Sequence, residues 1–111
     1  MPSYLLNLPE PEHARGDDAQ LSFKAESPDG FAAELEQALR TDALFERWKA
    51  MQPDPDAVPE HLAAVDPAAS VTGKQQHLEI LLTARTTLSG EIVRHRMRLL
   101  AGKHWTLNDV R

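Results

Sequence analysis

Five histidines are the first residues in this chain that could do chemistry: His13, His61, His77, His95 and His104. Imidazole can bind a metal or move a proton near neutral pH. A metal site announces itself by convergent spacing, such as two histidines one helical turn apart with a carboxylate nearby. None of the five is placed that way. His95 falls on the apolar side of its segment, where a hydrogen-bonded core histidine is the commoner explanation. No metal and no cofactor is expected. Cysteine is absent, which removes thiolate nucleophiles, disulfides and every thiolate metal site together. No serine stands in a Gly-x-Ser-x-Gly elbow. Ser27 and Thr41 are explained as helix caps and Ser89 as part of a turn. The acid pairs Asp17-Asp18 and Asp54-x-Asp56 lie in loop-like stretches, where burial cannot separate their pKa values for acid–base work. Val71-Thr72-Gly73-Lys74 lacks the first glycine and the Gly-Lys-Ser/Thr order of a phosphate loop. It is read as a turn leading into a strand.

One constellation survives. Arg94, Arg96 and Arg98 alternate along a single segment, with Arg85 on the segment before it. If the two segments form a hairpin, all four guanidinium groups share one sheet face. Their planar forks suit phosphates and carboxylates, so Arg85, Arg94, Arg96 and Arg98 are candidate anion- or partner-binding residues. The ordinary alternative is a solvated face, or one neutralised by acids elsewhere in the chain. Trp48 and Trp105 fall on apolar faces and are read as buried core. Single-stranded nucleic-acid binders pair a basic groove with exposed aromatics, and that pairing is not visible.

The elements that must position these residues follow from periodicity. Residues 3–8 alternate Tyr4, Leu6 and Leu8 against Ser3, Leu5 and Asn7, the pattern of a strand buried on one face. Residues 20–25 repeat the alternation with Leu21, Phe23 and Ala25, which predicts a second strand. Ser27-Pro28-Asp29 is a helix start with a capping hydroxyl, proline in the first turn and an acid favoured by the dipole. Phe31, Leu35, Ala38 and Leu39 recur at helical spacing. Thr41-Asp42 opens a second amphipathic helix with Leu44, Phe45, Trp48 and Met51. Four prolines fall between residues 52 and 70, predicting a long connecting loop with one short helix near Pro59.

Residues 77–88 alternate through Leu78, Ile80, Leu82, Ala84, Thr86 and Leu88. Residues 92–100 can be read two ways. As a strand they bury Val93, His95, Met97 and Leu99; as a helix they gather Ile92, Val93, Met97, Leu99 and Leu100 in one arc, with Arg96 stranded in its middle. A two-residue Ser89-Gly90 turn would align apolar residues across a hairpin, and the hairpin is preferred. A last strand over 104–110 carries Trp105 and Leu107 inward. The predicted order is ββααβββ, an α+β domain whose antiparallel sheet carries two amphipathic helices on one face.

Length and composition set the remaining bounds. At 111 residues the chain is expected to form a single domain spanning 1–111. The N-terminus lacks a basic, apolar leader and no stretch is long enough to cross a bilayer, which points to the cytoplasm by default and away from membranes. The net charge of −5 is uneven: residues 1–69 carry 14 acidic and 5 basic side chains, and residues 70–111 carry 3 and 7. A generic nucleic-acid binder is basic overall, so nucleic acid is disfavoured. Three functions are carried forward. The first is a small non-enzymatic protein-interaction or regulatory domain that engages another protein through a sheet face or edge. The second is a binder of a small anionic ligand or nucleic acid through the arginine face. The third is an enzyme using dispersed acid–base residues, which would leave no motif. Oligomeric state is not legible in the sequence.

Overall fold

Strand β1 (Ser3–Leu8) lies in the interior of a four-stranded antiparallel sheet. Its alternation is the one expected, with Tyr4, Leu6 and Leu8 buried and Ser3, Leu5 and Asn7 half-buried on the other side. In the computed structural model, which describes residues 1–111, β1 pairs with β3 (Glu79–Arg85) and with β4 (Thr106–Val110). Strand β2 (Ser70–Gln76) pairs with the far side of β3. The spatial order is β2-β3-β1-β4. Three helices complete the chain: α1 (Pro28–Arg40), α2 (Ala43–Ala50) and α3 (Gly90–Ala101).

The inward residues of the strands, including Leu6, Leu8, Ile80, Leu82 and Val71, join Phe31, Leu35, Leu39, Val93 and Met97 in one core. Only one face of the sheet is covered by helices. Helix α1 begins as its residues dictate: the Ser27 hydroxyl accepts from the Gly30 N–H at 3.1 Å and Pro28 occupies the first turn, where a missing N–H matters least. Phe23 packs edge-on against Phe31, with ring centres 4.9 Å apart.

Strands β1 and β2 are parallel with β3 between them, and β3 and β4 are parallel with β1 between them. Two β-α-β crossovers therefore interlock, the β-α-β-β-α-β connectivity called ferredoxin-like. Helix α2 is an addition within the first crossover. The fold is α+β with helices against an antiparallel sheet, as predicted, but three segments differ in detail.

Residues 20–25 are not a strand. Leu21 and Phe23 are buried, yet the backbone finds partners outside any ladder. The Phe23 N–H donates to the Leu100 carbonyl at 2.9 Å. The Lys24 and Ala25 N–H groups donate to the Glu34 carboxylate. Val71-Thr72-Gly73-Lys74, expected as a turn leading into a strand, lies within strand β2, which buries only Val71 and half-buries Gly73. Gly73 serves close approach rather than turning, because a Cβ there would lie 2.2 Å from the Pro28 carbonyl oxygen. The turn falls instead at His77-Leu78, between the paired residues Gln76 and Glu79. His77 takes φ +58° there.

Residues 90–101 form a helix and not the hairpin strand. The Ser89 hydroxyl accepts from the Ile92 N–H, and Ile92, Val93, Met97 and Leu100 are buried along one arc. The observed element order is thus βααββαβ. Trp48 and Trp105, expected in the core, pack against it half-buried. The connection over 51–69 carries two short 3-10 turns, Pro55–Ala57 and Glu60–Ala63.

Candidate functional site

The helix over 90–101 disperses the arginine cluster. Arg85 ends β3 and is exposed. Its neighbour Ala84 points into the core, so Arg85 points to the sheet face that no helix covers, where it aligns with Ser3 and Ser70. Arg94 and Arg98 are exposed on α3, on the helix side of the sheet. None of these three forms an ion pair. Arg96 is fully buried. The four candidates do not share one sheet face, because a helical segment turns alternate residues about 200° apart rather than onto one side.

Arg96 is a clamp. Its Nε donates to the Ala38 carbonyl at 3.1 Å, and its two terminal nitrogens donate to the carbonyls of Leu62 at 2.7 Å and Ala64 at 3.0 Å. The guanidinium also stands 5.6 Å from the centre of the Phe45 ring. One side chain thereby ties α3 to the end of α1 and to the proline-rich connection. Burial lowers its pKa, with Asp42 opposing the shift. Asp66 fastens the far end of the same connection. Its carboxylate accepts from the Thr86 hydroxyl at 2.8 Å and from the N–H groups of Thr87 at 2.9 Å and Ala68 at 3.0 Å. The Thr87 N–H leads the Thr86 hydroxyl in holding its pKa below the ordinary carboxylate value.

His95 neighbours Arg96 and differs from it sharply. It packs edge-on against Trp48 at 4.5 Å between ring centres and lies 6.5 Å from Phe45. Its buried Nδ1 has no hydrogen-bond partner. Burial, reinforced by Arg96 and Arg98, lowers its pKa to about 4, against a weaker opposing pull from Glu91. His95 joins α2 to α3 as a neutral ring. His61 contacts Glu91 at 3.0 Å, with both side chains exposed. Glu10, Glu12 and His13 are the one trio whose ligand-type atoms lie within 4.8 Å of one another, and all three are exposed. His13 Nδ1 contacts Glu10 at 2.9 Å, the arrangement of a solvated acid–histidine pair.

The uncovered sheet face is the other surface of note. Register places its side chains in rows: Thr72, Thr83, Leu5 and Asp109 in one, and Lys74, Leu81, Asn7 and Thr106 in the next. Leu5 and Leu81 are half-buried at its centre. The Asn7 amide donates to Glu79 at 2.8 Å, and Asp109 pairs with Arg111 at 2.9 Å. The remaining charges on the face, Lys74 and Arg85, form no ion pair. Both sheet edges are guarded. On β2 the Val71 N–H donates to Glu36 at 3.0 Å, and Arg40 donates to the Ala69 carbonyl just before the strand. On β4 the Val110 N–H donates to its neighbour Asp109 at 2.8 Å, and the register shifts opposite Leu5 and Leu6. Short, bulged and side-chain-blocked edges discourage strand addition. The sequence pattern could have shown this face, since Leu5 and Leu81 alternate against the core set.

Fold and surfaces together define a small α+β domain with ferredoxin-like connectivity, one bare sheet face and no helix long and apolar enough to cross a membrane. Compared with protein-family models, curated proteins and solved structures, the chain has no significant match in any of the three. The connectivity alone does not choose a function.

Proposed function

We propose that this chain is a small non-enzymatic interaction or regulatory domain of the cytoplasm, and that another protein docks on its bare sheet face. The observation that carries this reading is the contrast between the two faces of the sheet. One is buried under helices, and the other presents Leu5 and Leu81 among threonines with nothing over them. Guarded edges favour the face over the edge as the route of contact. Lys74 and Arg85 flank the apolar centre without ion pairs, while the face's own acids, Glu79 and Asp109, are engaged by Asn7 and Arg111, so the fitting partner is a protein with an apolar patch bordered by acids.

The test is a capture experiment run on variants in parallel. Leu81→Glu and Arg85→Ser should each abolish capture of a partner that wild type retains. Leu78→Glu, at the exposed hairpin tip, should keep it. Capture that survives both face substitutions, with the fold intact, rejects the face as the docking surface.

A second reading, binding of a small anion or nucleic acid, now rests on Arg94 and Arg98. They lie one helical turn apart, exposed and without carboxylate partners. It loses Arg96 to the interior and Arg85 to the opposite side of the sheet.

A further inference from the structure

A cleft of ≈ 360 Å³ opens on the helix side of the molecule, where residues 20–24 meet α1, the start of α2 and Leu100 of α3. Its size lies within the span of small-ligand sites. The buried side chains of Leu21, Ala38, Leu44 and Leu100 line it. Most of its polar groups are already occupied by the fold. Glu34 accepts from the Lys24 and Ala25 N–H groups with both carboxylate oxygens. The Ser22 hydroxyl is bound to the Gly16 N–H and faces the Phe23 carbonyl. The Lys24 ammonium donates to the Ala19 carbonyl, and the Thr41 hydroxyl donates to the Gln37 carbonyl at 3.0 Å.

Arg47 is different. It lines the cleft, is exposed, and forms no ion pair. Only its Nε has a protein partner, the Ala43 carbonyl at 3.4 Å. Two terminal guanidinium nitrogens therefore stand beside an apolar floor with no acceptor of their own. The cleft's one carboxylate, Glu34, is committed to backbone. A guanidinium fork accepts a carboxylate through two parallel hydrogen bonds.

We propose that this cleft binds a small amphipathic monocarboxylate, its apolar chain against Leu21, Leu44 and Leu100 and its carboxylate on Arg47. The site is independent of the sheet face and stands whether or not a protein docks there.

Hexanoate and 1-hexanol, matched in chain length and different in charge, are the probes. Titration of the full chain followed by amide chemical shifts should give saturable changes confined to residues 20–24, the facing turns of α1 and α2, and Leu100. Hexanoate should bind at least about fivefold more tightly than 1-hexanol, and Arg47→Gln should erase that difference. Ala33→Phe, at an exposed lining position, should fill the cleft and weaken both. Equal binding of the two probes by wild type overturns the proposal, as does the absence of saturable shifts. Hexanoate binding unaffected by Ala33→Phe overturns it too, since the ligand would then lie elsewhere. The spectra themselves show whether each variant is folded.

Discussion

The two sides of helix α3 treat polarity in opposite ways. Toward the proline-rich connection it presents Arg96, a fully buried cation whose three nitrogens each meet a backbone carbonyl. Toward α2 it presents His95, packed on Trp48 and Phe45 with a buried nitrogen that meets nothing. A buried charge is tolerated when its hydrogen-bonding groups are satisfied; a buried imidazole without a partner is tolerated by staying neutral. The first side works as an anchor that fastens irregular chain. The second works as an apolar contact that is sensitive to protons.

The largest effect should come from removing the anchor. Arg96→Met fills similar volume but leaves the carbonyls of Ala38, Leu62 and Ala64 without their donor. A loss of about 3–5 kcal/mol in unfolding free energy is expected, the range for breaking a buried polar network. Arg96→Lys should recover only part of it, because one ammonium cannot match a planar fork aimed at three acceptors. Chemical denaturation of both variants measures this. A loss under about 1 kcal/mol for Arg96→Met would show that the connection is held by other contacts.

Acid should expose the second side. The ordinary histidine value is 6.5 and the folded value is about 4. Above pH 6.5 His95 is neutral in both folded and unfolded chains, and its contribution to stability is complete. As pH falls from 6.5 toward 4 the unfolded chain takes up a proton that the folded chain refuses, so stability falls. Below about 4 both forms are charged and this group adds no further loss. The drop across the window should be about 2–3 kcal/mol. His95→Leu should flatten that part of the stability–pH curve while leaving the steeper carboxylate-driven fall at lower pH. An unchanged slope between pH 6.5 and 4 would place the ring in contact with solvent.

A comparable contrast separates what sequence reasoning could reach from what it could not. Periodicity found β1, α1 and the inward faces that carry Leu6 and Leu82, because those elements bury a full stripe or face. It failed where tertiary partners replaced local ones. Residues 20–25 bury Leu21 and Phe23 as the alternation predicts, but Ser22 is buried between them, and the N–H groups of Phe23, Lys24 and Ala25 go to Leu100 and Glu34 rather than to a ladder. Strand β2 was hidden because an edge strand pressed under a helix start needs only Val71 for the core and a glycine for clearance. Arg96 counted against the helical form of residues 90–101 because the three carbonyls that receive it come from segments 32 to 58 residues away. The candidate arginine face fell with that choice. The cleft beside Arg47 depends on four separate segments meeting, which no local pattern encodes. Gly73→Ala probes the hidden strand directly. With the Pro28 carbonyl 2.2 Å from the new methyl, about 1–3 kcal/mol should be lost as α1 and β2 move apart.

The smallest effect belongs to the outer surface of α3, and it decides between the two functional readings. Arg94 and Arg98 share a helix with Arg96 but are solvated and unpaired. Removing exposed like charges one turn apart relieves a weak repulsion and breaks no contact. Arg94→Ser combined with Arg98→Ser should therefore change stability by no more than about 0.5 kcal/mol. Any loss of function in this variant must then come from lost recognition rather than a weakened fold. Titration of wild type with single-stranded DNA, RNA and nucleotides at low salt should give no binding if the sheet face is the working surface. Salt-sensitive binding by wild type that the double variant loses, at unchanged stability, would move the function to α3. The molecule's acidic balance of −5 opposes that outcome at long range, because a polyanion must approach a net-negative body to reach two arginines.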